Sequence, residues 1–315
     1  MPGIGDIIEG GEGNLIGGAF SQFWDSLYQT ILSDLYTTAY KGCLKTFNGL
    51  FDSLNSHVSD AAESLVRTPQ AWNASAYSMV RDLSQTAFLP VAAVFLAVVF
   101  AWEMAQIVQN YNQSMQHFKP DNLIFPFLKL ALCLLACSHA FEIIMLFFRI
   151  GQVVTQKISG TAIGNFGEGL EFTNIVAPSL EHYELGDVVE VVGYSLILKL
   201  AKFAVWLIGI IIYIRVIFWF LEIYVMSCAA PIPYAMWMNK EWQQVSVNYT
   251  RKMLALMFQG PLMLMLYAIY GGVLGGLPIG SDFVGSLGMI IGSAFTLGAL
   301  LFKTSAIADS IFAAH

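Results

Sequence analysis

The chain has 315 residues, 57% of them hydrophobic and only 12% charged, with a formal net charge of −7. A water-soluble domain does not carry that apolar excess, and a surface built to grip phosphate backbones needs clustered Lys and Arg that this sequence lacks. Cys43, Cys133, Cys137 and Cys228 are too few and too scattered for a disulfide framework.

The opening "MPGIGDIIEGGEG" is acidic and glycine-rich, without the basic and apolar regions of a cleavable signal, so internal segments are expected to drive insertion. Phe20, Phe23, Trp24, Leu27, Tyr28, Ile31, Leu35 and Tyr36 then recur at helical spacing, with Ser21, Gln22, Asp25, Gln29, Ser33 and Thr37 opposite. That pattern predicts an amphipathic helix. A second stripe, Leu44, Phe47, Leu50, Phe51, Leu54 and Val58, follows past Gly42. Both polar faces are neutral or acidic, so anionic lipid is not the attraction; the apolar faces are expected in the headgroup region, on a partner helix or on the chain's own bundle. Thr68-Pro69 reads as an N-cap with Pro at the first helical position, opening a helix through Arg81. Residues 1–85 make up this amphipathic helical region.

The core, residues 86–303, contains apolar segments at 86–107, 123–149, 191–226, 254–270 and 283–302. The fold class is therefore an all-α polytopic membrane protein with about five transmembrane helices. The first segment is expected to bend near Pro90 and the fourth at Gly260-Pro261. Between the second and third, residues 151–190 read as a solvated acidic loop, in which Glu168, Glu171, Glu181, Glu184, Asp187 and Glu190 face only Lys157. The third segment would be about 54 Å long as one helix, beyond the roughly 30 Å hydrocarbon core, so its first turns with Lys199 and Lys202 are expected to project. Pro231 and Pro233 then break the helix, each pushing its predecessor toward an extended conformation. Residues 304–315 read as a short C-terminal tail. Lys and Arg show no excess on either side, so the positive-inside rule leaves the orientation open.

Arg215 and Glu222 lie inside the third segment. Fifteen Leu, Ile, Val or Phe residues between Phe203 and Met226, each worth roughly −0.3 to −0.6 kcal/mol, outweigh roughly +2.5 to +3.5 for a central Arg. The two charges share a face but stand about 10 Å apart along the axis, so each needs a partner elsewhere. Glu103, in the first segment, and Glu142, in the second, join them as candidate members of an intramembrane charge network. A structural ion-pair network, a subunit interface, a polar conduit lining and a proton or ion relay all fit such groups. In the fifth segment Gly285, Gly288, Gly292 and Thr296 present small residues for close helix approach, either to the fourth segment or to another subunit. Cys133 and Cys137 share a helix face, but His139 lies about 200° round from Cys137 and cannot complete a metal site there. No Walker loop, zinc motif, nucleophile elbow or dinucleotide fingerprint is present, so neither an enzyme nor a cofactor is expected.

The stretch "MSCAAPIPYAMWMNKEWQQVSVNYTRKMLALMFQGPLM" joins a long apolar helix, an "AAPIP" break, an aromatic-rich "NKEW" turn and an amphipathic lead-in to the next helix. It resembles the core of TrbL-type conjugal transfer proteins, most closely versions from Gram-positive integrative conjugative elements. The resemblance implies a non-enzymatic, homo-oligomeric subunit of a type IV secretion machine in the cytoplasmic membrane, N-terminus outside and C-terminus in the cytoplasm. It further implies secretion ATPases and a coupling protein as partners, bound phospholipid, and at most transient contact with translocating single-stranded DNA. The acidic balance suits a scaffold or a weakly interacting wall, since a strand-gripping surface would carry basic grooves. The alternatives are a small-solute or ion transporter, with a midplane site at the Pro231 break, and a membrane anchor without any conduit.

Overall fold

The computed structural model describes residues 12–114, 121–162, 172, 176, 178–276 and 282–314. Among these every regular element is helical, as a lipid-crossing chain requires when each segment must satisfy its own backbone groups. The helices are α1 (Glu12–Val66), α2 (Pro69–Trp72), α3 (Ala74–Leu83), α4 (Leu89–Ser114), α5 (Asp121–Ser138) and α6 (Ala140–Ala162). They continue with α7 (Leu185–Ala229), α8 (Pro231–Ala235), α9 (Gln243–Gly275) and α10 (Phe283–Ile311). A π turn at Ser84–Phe88 joins α3 to α4, and a 3-10 turn at Met236–Met238 follows α8. Two compact units result: Met1–Leu54 with Phe166–Leu207 and Leu274–Ser293, and Asn55–Asn165 with Ile208–Val273 and Ala294–His315.

In the first unit, α1 buries Leu32, Tyr36, Tyr40, Cys43, Phe47 and Leu50, spaced so that one helix face goes inward. Phe172, fully buried, sits among the rings of Tyr40, Phe47 and Phe283, and Cys43 Sγ donates to Val191 O at 3.4 Å. Gln29 clasps the Tyr183 peptide from both sides, donating to its carbonyl at 3.0 Å and accepting from its N–H at 2.9 Å. The two predicted stripes are thus one continuous helix. The earlier one keeps Phe20, Phe23, Trp24, Leu27, Tyr28, Ile31 and Leu35 exposed and buries its last member, Tyr36, whereas Phe47, Leu50, Leu54 and Val58 of the later one are buried.

In the second unit several predicted elements change shape. Thr68 does cap α2, accepting from Ala71 N at 2.9 Å, but the helix stops after one turn because Asn73 accepts from Ala76 N at 2.9 Å and caps a new one. The π turn lies just upstream of Pro90, whose missing N–H and crowding ring disrupt the regular ladder. The segment predicted as one helix over 123–149 is two, α5 and α6, meeting at 67° beside His139. There Ser138 Oγ donates to Leu135 O at 3.0 Å, a local bond that competes with helix continuation. Helix α6 then runs past Gly151 to Ala162, so the loop does not begin at Gly151; a Cβ at that position would strike Met257. Glu168 and Glu171 lie outside the described residues. The expectation of extended backbone before Pro231 is also corrected: Ala230 is helical, with φ −51° and ψ −38°, and Pro231 opens α8 at its first turn. The chain breaks there by starting a new helix. The predicted tail is helical to Ile311, with Ala308 fully buried.

Ala74–Asn110, Leu185–Ala229, Gln243–Gly275 and Phe283–Ile311 are long and apolar enough to cross a membrane, and the bent pair Ile124–Ser138 with Ala140–Ser159 makes a fifth if it forms one span. Beside these, the end of α1 lies along α7. A Cβ at Gly209 would collide with the His57 imidazole, Trp72 stacks on Phe220 at 4.3 Å between ring centroids, and Tyr224 donates to Pro69 O at 2.6 Å. Gly209→Ala is therefore expected to cost about 1–3 kcal/mol through overpacking. Gly193→Ala, where the added methyl meets open space, should be neutral or stabilising by up to about 1 kcal/mol. Thermal midpoints in detergent check the pair; equal midpoints would show that α1 does not depend on this close approach.

Candidate functional site

Each of the four predicted intramembrane charges has a local partner. Arg215 is only 5% exposed. Its Nε donates to Leu301 O at 3.0 Å, and Nη2 donates to Gln259 Oε1 at 2.9 Å and Thr304 Oγ1 at 3.3 Å. Gln259 in turn donates to Ser305 Oγ at 3.1 Å, and the Thr304 hydroxyl to Leu301 O at 2.7 Å. One guanidinium from α7 thereby ties α9 to α10 through neutral acceptors. The planar fork explains Arg here, since a Lys ammonium cannot reach separated acceptors in fixed directions. Sequence reasoning sought a carboxylate for this cation; two polar side chains and a backbone carbonyl hold it.

Glu222 and Arg215 do not meet. Glu222 stands 3.9 Å from Lys252 Nζ, and the ammonium is held more closely by Asp309, at 2.8 Å. These three side chains are 24–35% exposed, so the trio is partly solvated. Asp309 escaped the sequence reading because it was assigned to the tail. The signal was present in the apolar spacing of Leu301, Ala308 and Ile311, which carries the last helix past Phe302.

Glu103 works elsewhere again. Fully buried Asn239 donates to Glu103 Oε2 at 2.6 Å and Gln106 Oε1 at 3.3 Å, while Gln106 donates to Glu241 Oε1 at 2.9 Å. Asn239 Oδ1 also accepts from Glu241 N at 2.8 Å, which shapes the "NKEW" turn, and the bonds to Glu103 and Gln106 latch it onto α4. Glu142 pairs with Arg81 at 3.1 Å, both side chains well exposed, and its other oxygen is buried without a partner among the described residues. The four predicted charges thus occupy four separate contacts.

Gly288 and Gly292 are exposed, with nothing within 4 Å of an added Cβ, and Thr296 is exposed too. A Cβ at Gly285 would meet the Asp282 carboxylate, one turn away on the same chain. The thiol of Cys137 donates to Pro231 O at 3.4 Å, and no cluster of three metal-ligating side chains occurs among the described residues. A cavity of about 320 Å3 opens between α5, α8 and α9, lined by Ala136, Tyr234, Trp237, Ser246, Thr250 and Arg251. Burial raises the Tyr234 phenol above its ordinary pKa, partly offset by its hydrogen bond with Thr250.

Arg215→Ala leaves Gln259 and Thr304 buried without their donor, at an expected cost of about 1–3 kcal/mol. Arg215→Lys should recover only part of it. Glu142→Gln, which weakens a solvated pair, should change stability by less than about 1 kcal/mol. Thermal unfolding in detergent ranks the three; an unchanged midpoint for Arg215→Ala would remove the guanidinium from the fold's essential contacts.

No curated protein and no solved structure matches the chain. The family model described as TrbL/VirB6 plasmid conjugal transfer like protein matches residues 54–231, more than half of the sequence. That stretch contains the α1–α7 contact, the bent α5–α6 pair and Arg215, and it ends at the α7–α8 break. This polytopic helical chain belongs to the TrbL/VirB6 family of conjugal transfer proteins, components of type IV secretion.

Proposed function

We propose that the chain is a non-enzymatic subunit that assembles with copies of itself into the membrane scaffold and passage of a conjugative DNA-transfer machine. The observation that carries this reading is the division between charges held inside the chain and exposed apolar and small-residue faces. Arg215, Glu222 and Glu103 are each engaged in contacts between the chain's own helices. In contrast, Gly288, Gly292 and the Phe20-to-Leu35 face of α1 are uncovered. A scaffold keeps its charges for internal structure and its open faces for other subunits. The cavity beside Arg251, apolar with one cation, suits a bound phospholipid. Secretion ATPases and the coupling protein are the partners at the cytoplasmic side, and DNA passes with transient contact. A solute transporter would need a midplane polar site open to its cargo, whereas Arg215 is enclosed by Gln259, Leu301 and Thr304.

An N-terminus outside and a C-terminus in the cytoplasm require the bent α5–α6 pair to count as one crossing. Phosphatase fused at the N-terminus and a fluorescent protein fused at the C-terminus should both be active; two ends on one side would reduce the crossings to four and overturn this orientation. In the native membrane, Gly292→Cys should form a disulfide-linked dimer between neighbouring copies, and Gly292→Leu should lower transfer frequency without lowering membrane level. A protomer that never crosslinks, in cells where Gly292→Leu transfers normally, would exclude this oligomeric face.

A further inference from the structure

We infer that the outward face at the end of α1 is bathed by water at the depth where α7 meets lipid, and so forms part of the wall of an aqueous passage. The exposed residues on this face are Ser56, Ser59, Asp60, Glu63 and Arg67, at the 3–4 spacing that aligns them on one side of a helix. Opposite them Val58, Ala61, Ala62 and Leu65 are buried. The segment runs parallel to α7, from His57 beside Gly209 to Pro69 beside Tyr224. This region is the centre of the apolar stretch Phe203–Met226, about 34 Å long and close to the thickness of the hydrocarbon core.

At that level α7 exposes Tyr213, Ile214, Phe218 and Leu221, an apolar surface that suits lipid. The side chains of Glu63 and Arg67 are 67% and 50% exposed. One surface is apolar and the other charged at the same depth, so the two cannot face the same solvent. Within one copy nothing described covers the charged face; further subunits must keep lipid away from it. This deepens the passage reading above and rests on it.

The chemistry of the face fits a polyanion in transit. Arg67 is paired with Glu63 at 2.5 Å, leaving Asp60 as the net charge among these side chains. A hydrated, weakly acidic wall offers phosphates no cationic site to stop at.

The test uses full-length protein in phosphatidylglycerol–phosphatidylcholine vesicles, spin-labelled at Ser59→Cys or Phe218→Cys; unsubstituted protein, whose four thiols are buried, sets the labelling background. Collision rates with oxygen, which concentrates in lipid, and with a water-soluble nickel chelate are compared. The Ser59 label should favour nickel and the Phe218 label oxygen, reversing the order of the two relaxing agents. Oxygen dominance at both sites would place the charged face in lipid, and nickel dominance at both would place this level outside the bilayer; either overturns the inference. Asp60→Cys repeats the measurement should Ser59→Cys fold poorly. Crosslinking and transfer frequency of the same variants separate the two readings. A crosslinked, transfer-competent protein with Ser59 in lipid refutes the wall alone, whereas loss of the oligomer in unsubstituted protein refutes the proposed assembly beneath it.

Discussion

A guanidinium buried in an apolar bundle has to be hydrogen-bonded wherever it sits, and in this chain that requirement organises the helices around it. Arg215 is enclosed by a carbonyl and a hydroxyl from α10 and an amide oxygen from α9. None of these acceptors is ionised. The cation is thus held by directional hydrogen bonds and not by direct contact with a carboxylate, an arrangement that specifies position and tolerates little displacement. Trp219, one turn further along α7, donates to Leu256 O at 2.8 Å and lies where a Cβ on Gly260 would touch its ring. Two consecutive turns of α7 are thereby keyed to α9.

The charges nearer the ends follow different rules. Lys252 gathers Glu222 and Asp309 in a partly exposed trio, where water shares the work of solvation and the Coulomb gain is modest. Asn239 and Glu103 fasten an irregular turn to α4, the setting in which a buried amide with several partners is most useful. The contrast explains why four charges that look equivalent in a hydrophobic sequence do not assemble. Depth, exposure and neighbouring backbone decide each contact separately.

Much of the fold was legible because apolar periodicity and length are strong signals in a membrane chain. The helical class, the amphipathic N-terminal region and the apolar segments were all visible in the sequence, and so was the family, although the motif that suggested it lies mostly beyond the matched residues 54–231. Breaks and continuations were harder. Ser138 and His139 carry no breaker signal, yet α5 and α6 bend by 67° there. Gly151 looked like the start of a loop but permits contact between α6 and Met257. Pro231 was legible as a break, while the helical turn it begins was not, since a small Ala before proline can remain helical. Partners of the charges depend on which helices neighbour one another, and periodicity carries no information about that. The acceptors of Arg215 are a Gln, a Thr and a carbonyl that no charge-matching argument would select.

Two exposed surfaces of unlike polarity at one depth are more than a single protomer in lipid can sustain, and the internal satisfaction of Arg215 leaves that cation unavailable to other subunits. A cryo-EM map of the oligomer, purified with its lipids retained, tests this most directly. The account predicts several copies about an axis, Arg215 bound in each to its own Gln259, Leu301 and Thr304, lipid density against Phe218 and solvent against Glu63. Arg215 turned toward a carboxylate of a neighbouring copy, or a lone protomer wrapped in lipid on every face, would contradict it.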